Sequence, residues 1–108
     1  MGWMAKLTLV RPDEPEPVAI RLQEGALLFG RTLPSEYCVP IVQMSREHMW
    51  LRLHPDGGLT IEDAQSASGI YVDGKQIAGR IVTIKTGNVI TFGGCTLRLD
   101  SVVRDDLL

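Results

Sequence analysis

Three short polar segments hold the side chains best suited to chemistry: GR at 30–31, SREH at 45–48 and SASGIYVDG at 66–74. An arginine guanidinium meets two oxygens of a phosphate or carboxylate at once, and serine hydroxyls and backbone N–H groups satisfy the remaining oxygens. If the fold brings these segments together, Arg31, Arg46 and the nearby hydroxyls would form a receptor for an oxyanion.

The same residues also admit plainer interpretations. Arg31 would fit a surface arginine paired with Glu36, and Ser45 would fit an ordinary turn hydroxyl. A serine and a histidine such as Ser45 and His48 can act as nucleophile and base. However, the sequence has no GxSxG turn here and indicates no acidic residue that would orient the histidine. The two cysteines and two histidines lack the spacing of metal ligands. The sequence therefore predicts neither an enzyme nor a metal site.

Composition limits the function classes. The chain has 108 residues and a formal net charge of −2, which suits one domain and lacks the broad positive field of a nucleic-acid-binding protein. No apolar run approaches the roughly 20 residues of a membrane-spanning helix, so we expect no direct membrane insertion. Cys38 and Cys95 are interpreted as reduced thiols, which predicts a cytoplasmic protein.

The elements that must position the polar segments are short strands. Apolar and polar residues alternate, turn residues separate the runs, and almost no helical period is present, which predicts an all-β sandwich or barrel of ten or eleven strands. Pro40 places its segment at a sheet edge, and Asp73-Gly74 predicts a tight hairpin. Residues 101–108 are either the end of the last strand or the start of a linker. The predicted strands are 5–9, 18–22, 26–30, 38–41, 47–54, 59–63, 70–72, 75–77, 80–84, 88–92 and 95–100.

Taken together, FGR at 29–31, SREH at 45–48, Asp63 and SASGIYVDG at 66–74 resemble the signature blocks of the forkhead-associated (FHA) domain, over residues 5–99. The resemblance implies a β-sandwich of about eleven strands that binds phosphothreonine peptides through loops at one end. It also implies a single FHA domain over 1–108 with its core at about 5–100.

The resemblance assigns roles to individual residues. Arg31 would be the main phosphate ligand, Ser45 would bond a phosphate oxygen, and Arg46 would add a second contact. Gln43 lies where the family's loop reads a side chain beyond the phosphothreonine. Four further residues would shape the site rather than touch the ligand: Gly30, His48, Gly69 and Gly74.

The third block departs from the family pattern at the two positions that contact the ligand. Ala67 and Ser68 replace a threonine and an asparagine that bond the phosphate and the peptide backbone. Each lost hydrogen bond costs ~1 kcal/mol, so together they would weaken binding by roughly tenfold or more. We therefore expect a weakened phosphate site, with poorer discrimination between phosphothreonine and phosphoserine.

Two functions follow from this pattern. The first is a non-catalytic phosphothreonine-binding signalling module without a cofactor, whose partner is a protein phosphorylated by a Ser/Thr kinase. The alternative is an FHA-fold interaction scaffold without phosphopeptide binding, such as a cytoplasmic domain of a bacterial secretion-system component. Ala67 and Ser68 favour the scaffold, whereas Arg31, Ser45 and His48 favour the phosphopeptide reader.

Overall fold

The computed structural model describes residues 2–32, 35–77 and 81–104, and these residues form eleven β-strands in two sheets. The all-β prediction is confirmed. The strands are β1 (Trp3–Val10), β2 (Val18–Gln23), β3 (Gly25–Gly30), β4 (Tyr37–Cys38), β5 (Met49–Leu53), β6 (Leu59–Asp63), β7 (Ile70–Val72), β8 (Lys75–Ile77), β9 (Ile81–Ile84), β10 (Val89–Phe92) and β11 (Cys95–Arg104).

The two sheets face each other across one apolar core. One sheet has the strand order β2-β1-β11-β10-β7-β8 and the other β4-β3-β5-β6-β9. Strand β5 shows how sequence alternation builds the core, since Met49, Leu51 and Leu53 are buried while Trp50 and Arg52 face outward. Burial of each large apolar side chain contributes roughly 1.5–3 kcal/mol.

Aromatic side chains from both sheets meet beneath the loops at one end. The Phe29 ring, from β3, lies 5.3 Å from the Phe92 ring of β10 in an edge-to-face arrangement. Both side chains are almost completely buried, and such ring pairs add about 0.5–1.5 kcal/mol beyond their buried area. This contact fixes the ends of β3 and β10, which carry two of the loops described below.

Several strand boundaries differ from the sequence prediction, those of β4, β5 and β11 among them. The predicted strand 38–41 is wrong in extent: β4 holds only Tyr37–Cys38, because it pairs in parallel with β3 for two residues and the chain then turns. That short strand does lie at a sheet edge. Strand β5 starts at Met49, two residues later than predicted.

A further difference concerns the last strand, which continues past residue 100. Residues 101–104 belong to β11 and pair with the start of β1, with Ser101 opposite Lys6 and Arg104 opposite Trp3. They are therefore part of the sandwich, as the strand-end alternative predicts. The remainder of the predicted tail, 105–108, lies outside the described residues.

The strand directions bring the polar loops together at one end of the sandwich. Strands β3 and β6 end there and β5 and β7 begin there, so the segments 45–48 and 64–69 become neighbours of Arg31. The two-residue turn at 73–74 lies at the opposite end, and both its residues have positive φ (49° and 84°), as an Asp-Gly hairpin requires. None of the described residues forms a helix with the length and apolar character that a membrane crossing requires.

Candidate functional site

His48 joins three segments at the end of the sandwich that carries the polar loops. Its side chain is completely buried. Nδ1 accepts a hydrogen bond from the Ser45 N–H (3.1 Å), and Nε2 lies 2.9 Å from the Gly69 carbonyl oxygen. Because an amide donates and a carbonyl accepts, this pair of bonds requires the tautomer with the proton on Nε2. The His48 backbone N–H also donates to the Phe29 carbonyl (2.8 Å).

Ser45 links the first and third polar segments directly. Its carbonyl accepts from the Arg31 N–H (2.9 Å), and its Oγ accepts from the Ala67 N–H (2.9 Å). A serine hydroxyl that accepts one bond still has a proton to donate. The Ser45 side chain is therefore positioned by the fold and is still able to bond an anionic oxygen.

Gly30 allows the first two segments to approach closely. A Cβ at this position would lie 2.0 Å from the Arg46 carbonyl oxygen and 2.2 Å from the Ser35 Oγ, so no larger residue fits. The buried Ser35 hydroxyl donates to the same Arg46 carbonyl (3.0 Å). This contact holds the segment that carries Arg31 against the segment that carries Arg46.

The third loop is closed by its own side chains. The Asp63 carboxylate accepts from the Ser66 N–H (2.7 Å), and the Ser66 hydroxyl accepts from the Gly69 N–H (3.0 Å). Gly69 has a φ of +82°, which side-chain-bearing residues rarely adopt. Gln65 also has positive φ (60°), and such a conformation in a non-glycine residue is uncommon. The loop is thus a fixed, partly strained structure.

These loops surround an open cavity of about 510 Å³. The structure brings five of the predicted ligand-contacting residues to its wall, together with five further residues of the described part of the chain. The predicted residues are Arg31, Gln43, Ser45, Arg46 and Ala67, and the others are Val42, Met44, Glu47, Ala64 and Gln65.

Of the six residues predicted to contact the ligand, Ser68 is the one that does not line this cavity. Ser68 lines a second, smaller cavity of about 190 Å³ together with Tyr71 and the Gly93-Gly94 turn. Gly74 has the positive φ of a turn glycine, but its hairpin lies at the opposite end of the sandwich. The sequence motif spans both ends because the three-residue strand β7 connects the loop that ends at Gly69 to the turn at 73–74.

The cavity presents two arginines with no internal partner. Among residues 2–32, 35–77 and 81–104, no carboxylate forms an ion pair with Arg31 or Arg46. The alternative partner considered for Arg31, the Glu36 carboxylate, instead accepts a hydrogen bond from the Leu28 N–H (2.7 Å). Both guanidinium groups therefore remain available to an anion.

The geometry argues against a Ser-His nucleophile. Both ring nitrogens of His48 are bonded to backbone groups, so neither can take the proton of the Ser45 hydroxyl, as a general base must. In the part of the chain that the structure describes, no group of three or more His, Cys, Asp or Glu side chains is arranged to hold a metal ion.

Sequence reasoning missed several residues of the cavity wall. Val42 is 84% exposed, and its place in the wall depends on the course of the loop after β4, which no local pattern predicts. Gln65 gives no signal either, because glutamine is not a residue that favours positive φ. Glu47 stands within SREH, where its acidic charge next to Arg46 was the one available signal.

The sequence matches the family model of the FHA domain over residues 27–93. The chain belongs to the FHA domain family. The matched region runs from β3 to the end of β10 and includes all three polar segments. A search of curated proteins finds no significant match.

Solved FHA domains share the fold of this FHA domain. A structure from a study of phosphothreonine-dependent FHA domain interactions is 22% identical, with a TM-score of 0.74, and the match covers 89% of this chain and 96% of that one. The FHA domain of the CT664 protein from Chlamydia trachomatis is 19% identical, with a TM-score of 0.81 and coverage of 91% and 97%.

A third similar structure contains the FHA fold within a longer protein. It is EmbR of Mycobacterium tuberculosis in complex with a low-affinity phosphopeptide, 21% identical with a TM-score of 0.72. The match covers 89% of this chain and 24% of that one. At these identities the similarity establishes the common sandwich fold.

Proposed function

We propose that this FHA domain binds phosphothreonine-containing segments of partner proteins, as a non-catalytic module without a cofactor. The observation that carries the proposal is the pair Arg31 and Arg46, which line one open cavity and have no ion-pair partner among the described residues. The Ser45 hydroxyl lines the same cavity and retains a proton to donate.

Phosphate chemistry fits this arrangement. A phosphothreonine brings about −1.5 to −2 charges at pH 7 and three strong acceptor oxygens. Two guanidinium groups supply matching positive charge and several N–H donors, and the Ser45 hydroxyl supplies one more. A neutral threonine offers one weak donor and acceptor, so the cavity should strongly favour the phosphorylated form.

The third loop supplies less to the ligand than the family pattern would. Ala67 reaches the cavity but has no hydroxyl, and Ser68 lines the other cavity. We therefore propose that binding is weaker than in a domain with both hydrogen bonds, by roughly tenfold or more. Discrimination between phosphothreonine and phosphoserine should be modest for the same reason.

The partner would be a substrate of a Ser/Thr kinase, and the compartment the cytoplasm. Both cysteines, Cys38 and Cys95, are free thiols, which suits a reducing compartment. The similar structures include an FHA domain studied for phosphothreonine-dependent interactions and a phosphopeptide complex, and they support the same class of ligand here.

An NMR titration of the isotope-labelled domain tests the proposal. The ligands are degenerate pools of phosphothreonine, phosphoserine and unphosphorylated peptides of the same composition. We expect saturable shifts around Arg31, Ser45 and Ala67, largest with phosphothreonine and absent without phosphate. No shift at millimolar phosphopeptide, in a folded domain, would reject phosphopeptide binding.

Arg31→Ala is the matched variant for this titration. Loss of a charge-assisted pair of hydrogen bonds should weaken binding by about tenfold to hundredfold. The fold should survive because the Arg31 side chain has no partner among the described residues. Unaltered affinity in a folded Arg31→Ala domain would show that the peptide binds elsewhere.

The second candidate is an FHA-fold interaction scaffold that does not bind phosphate, such as a cytoplasmic component of a secretion system. Ala67 and Ser68 favour it, because the third loop lacks both ligand-binding side chains. Assembly would then depend on apolar surface such as Trp50, whose ring lies 5.0 Å from the Arg52 guanidinium carbon on the outer face of β5. A scaffold would be disrupted by Trp50→Ala and indifferent to Arg31→Ala.

A further inference from the structure

Among the described residues, the cavity wall contains one acidic side chain, Glu47, beside the two arginines. Glu47 is exposed, and among the described residues its carboxylate takes part in no ion pair, so it does not neutralise Arg31 or Arg46. Its neighbour His48 is buried and fixed by bonds to Ser45 and Gly69, which anchors the backbone from which Glu47 projects.

A bound phosphate changes the balance of charge around Glu47. Two arginines match the charge of a phosphate group, which is about −1.5 to −2 at pH 7. The Glu47 carboxylate is then left without balancing charge at the edge of the occupied site. Like charges close together are unfavourable, and a cation placed beside both groups would be attracted to each.

The cavity has room for such a cation. Its volume of about 510 Å³ lies within the range of about 300–1,000 Å³ found for sites that enclose whole small molecules. A phosphothreonine side chain would fill only part of it. A neighbouring peptide side chain can therefore enter the same cavity, and Glu47 is the group that would read its charge.

We propose that Glu47 is a specificity-determining residue that selects phosphopeptides with a lysine or arginine close to the phosphothreonine. The proposal rests on the proposed phosphopeptide function and adds the class of sequence that the site prefers. The phosphate would bind Arg31, Arg46 and Ser45, and the basic side chain would pair with Glu47 across the cavity.

Fluorescence anisotropy with a matched set of phosphothreonine peptides tests this inference. The peptides are identical except that Lys, Ala or Glu stands in turn at each position flanking the phosphothreonine. At one or more positions we expect the Lys peptide to bind ~3- to 10-fold more tightly than the Glu peptide, as for a partly exposed ion pair. Glu47→Gln should bring that ratio close to one, and Glu47→Arg should reverse it.

Two controls separate local selection from general charge attraction. Asp56→Asn removes one negative charge in the β5–β6 turn, at the opposite end, and its remaining side-chain oxygen can still accept from the Gly58 N–H; the ratio should not change. Raising the salt concentration should shrink the wild-type ratio, because ions screen exposed pairs.

The outcomes distinguish the inference from the function on which it rests. The role of Glu47 is overturned if phosphopeptide affinity does not depend on the flanking charge, or if Glu47→Gln leaves the Lys-to-Glu affinity ratio unchanged. Phosphothreonine recognition stands in both cases. Absence of any binding that depends on phosphate and on Arg31 overturns both. A ratio lost equally in Asp56→Asn also rejects the proposal, because the preference would then come from net charge.

Discussion

The two ends of the sandwich use polar side chains in different ways. At the end with the hairpins 54–58 and 73–74, polar side chains bond to other groups of the turns at that end. Asp56 accepts from the Gly58 N–H, Asp73 accepts from Val89 and Asn88, and Asn88 accepts from the Lys85 N–H. At the other end, Arg31 and Arg46 have no such partner among the described residues.

The support at the two ends differs as well. The turns at the hairpin end are short and are held by exposed bonds, within one turn for Asp56 and Asn88 and between two neighbouring turns for Asp73. The polar loops are held by a buried residue, His48, that joins segments far apart in the sequence. A rigid support beneath the loops holds their backbone in place, so Arg31 and Arg46 can remain without an internal ion pair in the described part of the chain. A binding surface needs such a preorganised backbone with free side chains.

The largest expected effect compares the two histidines. His48→Ala removes the bonds to the Ser45 N–H and the Gly69 carbonyl, and it leaves the carbonyl buried, the N–H partly buried and a cavity beside them. Each unsatisfied buried group costs about 1–3 kcal/mol, so the free energy of unfolding should fall by ~3–5 kcal/mol. Urea denaturation followed by tryptophan fluorescence measures this change.

His54→Ala is the matched control at the other end. His54 is half-buried and makes one side-chain bond, 2.8 Å from its Nε2 to the Thr60 hydroxyl. Its loss should cost ~1 kcal/mol, in line with a single partly exposed hydrogen bond. If the two variants lost equal free energies of unfolding, His48 would support its end of the sandwich no more than His54 supports the other.

The same contrast explains what could be predicted from the sequence. Locally determined features were predicted well: the bounds of β6, β7 and β8 and the Asp73-Gly74 turn follow from alternation and from a dipeptide that suits positive φ. The extent of β4 was not, because it depends on a two-residue pairing with β3. The pairing stops where the chain turns after Cys38, and the alternation of apolar and polar residues does not mark that point.

The residue types of the candidate site could be predicted from the sequence, but the directions of the side chains could not. The three blocks identified Arg31, Ser45 and Arg46, all of which line one cavity. Ala67 and Ser68 are neighbours in the sequence yet line different cavities. The direction of each side chain there depends on the loop conformation around Gly69, whose positive φ arises from tertiary contacts as well as from its own sequence.

An intermediate effect is expected at the hairpin end. Asp73→Ala removes the carboxylate bonds to Val89 N–H (2.9 Å) and Asn88 Nδ2 (2.7 Å) and places alanine at a φ of 49°. We expect a loss of ~1–3 kcal/mol in the free energy of unfolding. Asp73→Asn, which tolerates positive φ and keeps one acceptor, should lose less.

This variant also tests whether the two ends are independent. Phosphopeptide affinity of Asp73→Ala, measured where the domain remains folded, should stay within about twofold of the wild-type value, since distant sites are usually additive. A larger change would mean that the hairpin turn positions the binding loops. That result would contradict the view that the hairpin end and the binding end are independent.

The smallest expected effect adds one polar group to the binding end. Ala67 is exposed, lines the main cavity and is held by its N–H bond to the Ser45 Oγ. Ala67→Thr places a hydroxyl in that cavity, and one new hydrogen bond contributes about 0.5–1.5 kcal/mol, so phosphopeptide affinity should rise about two- to tenfold. Ser68→Asn should raise the affinity less, because residue 68 lines the second cavity and not the main one. If calorimetric titration showed a gain for Ser68→Asn and none for Ala67→Thr, the peptide would have to cross the loop towards Tyr71, and the second cavity would belong to the binding surface.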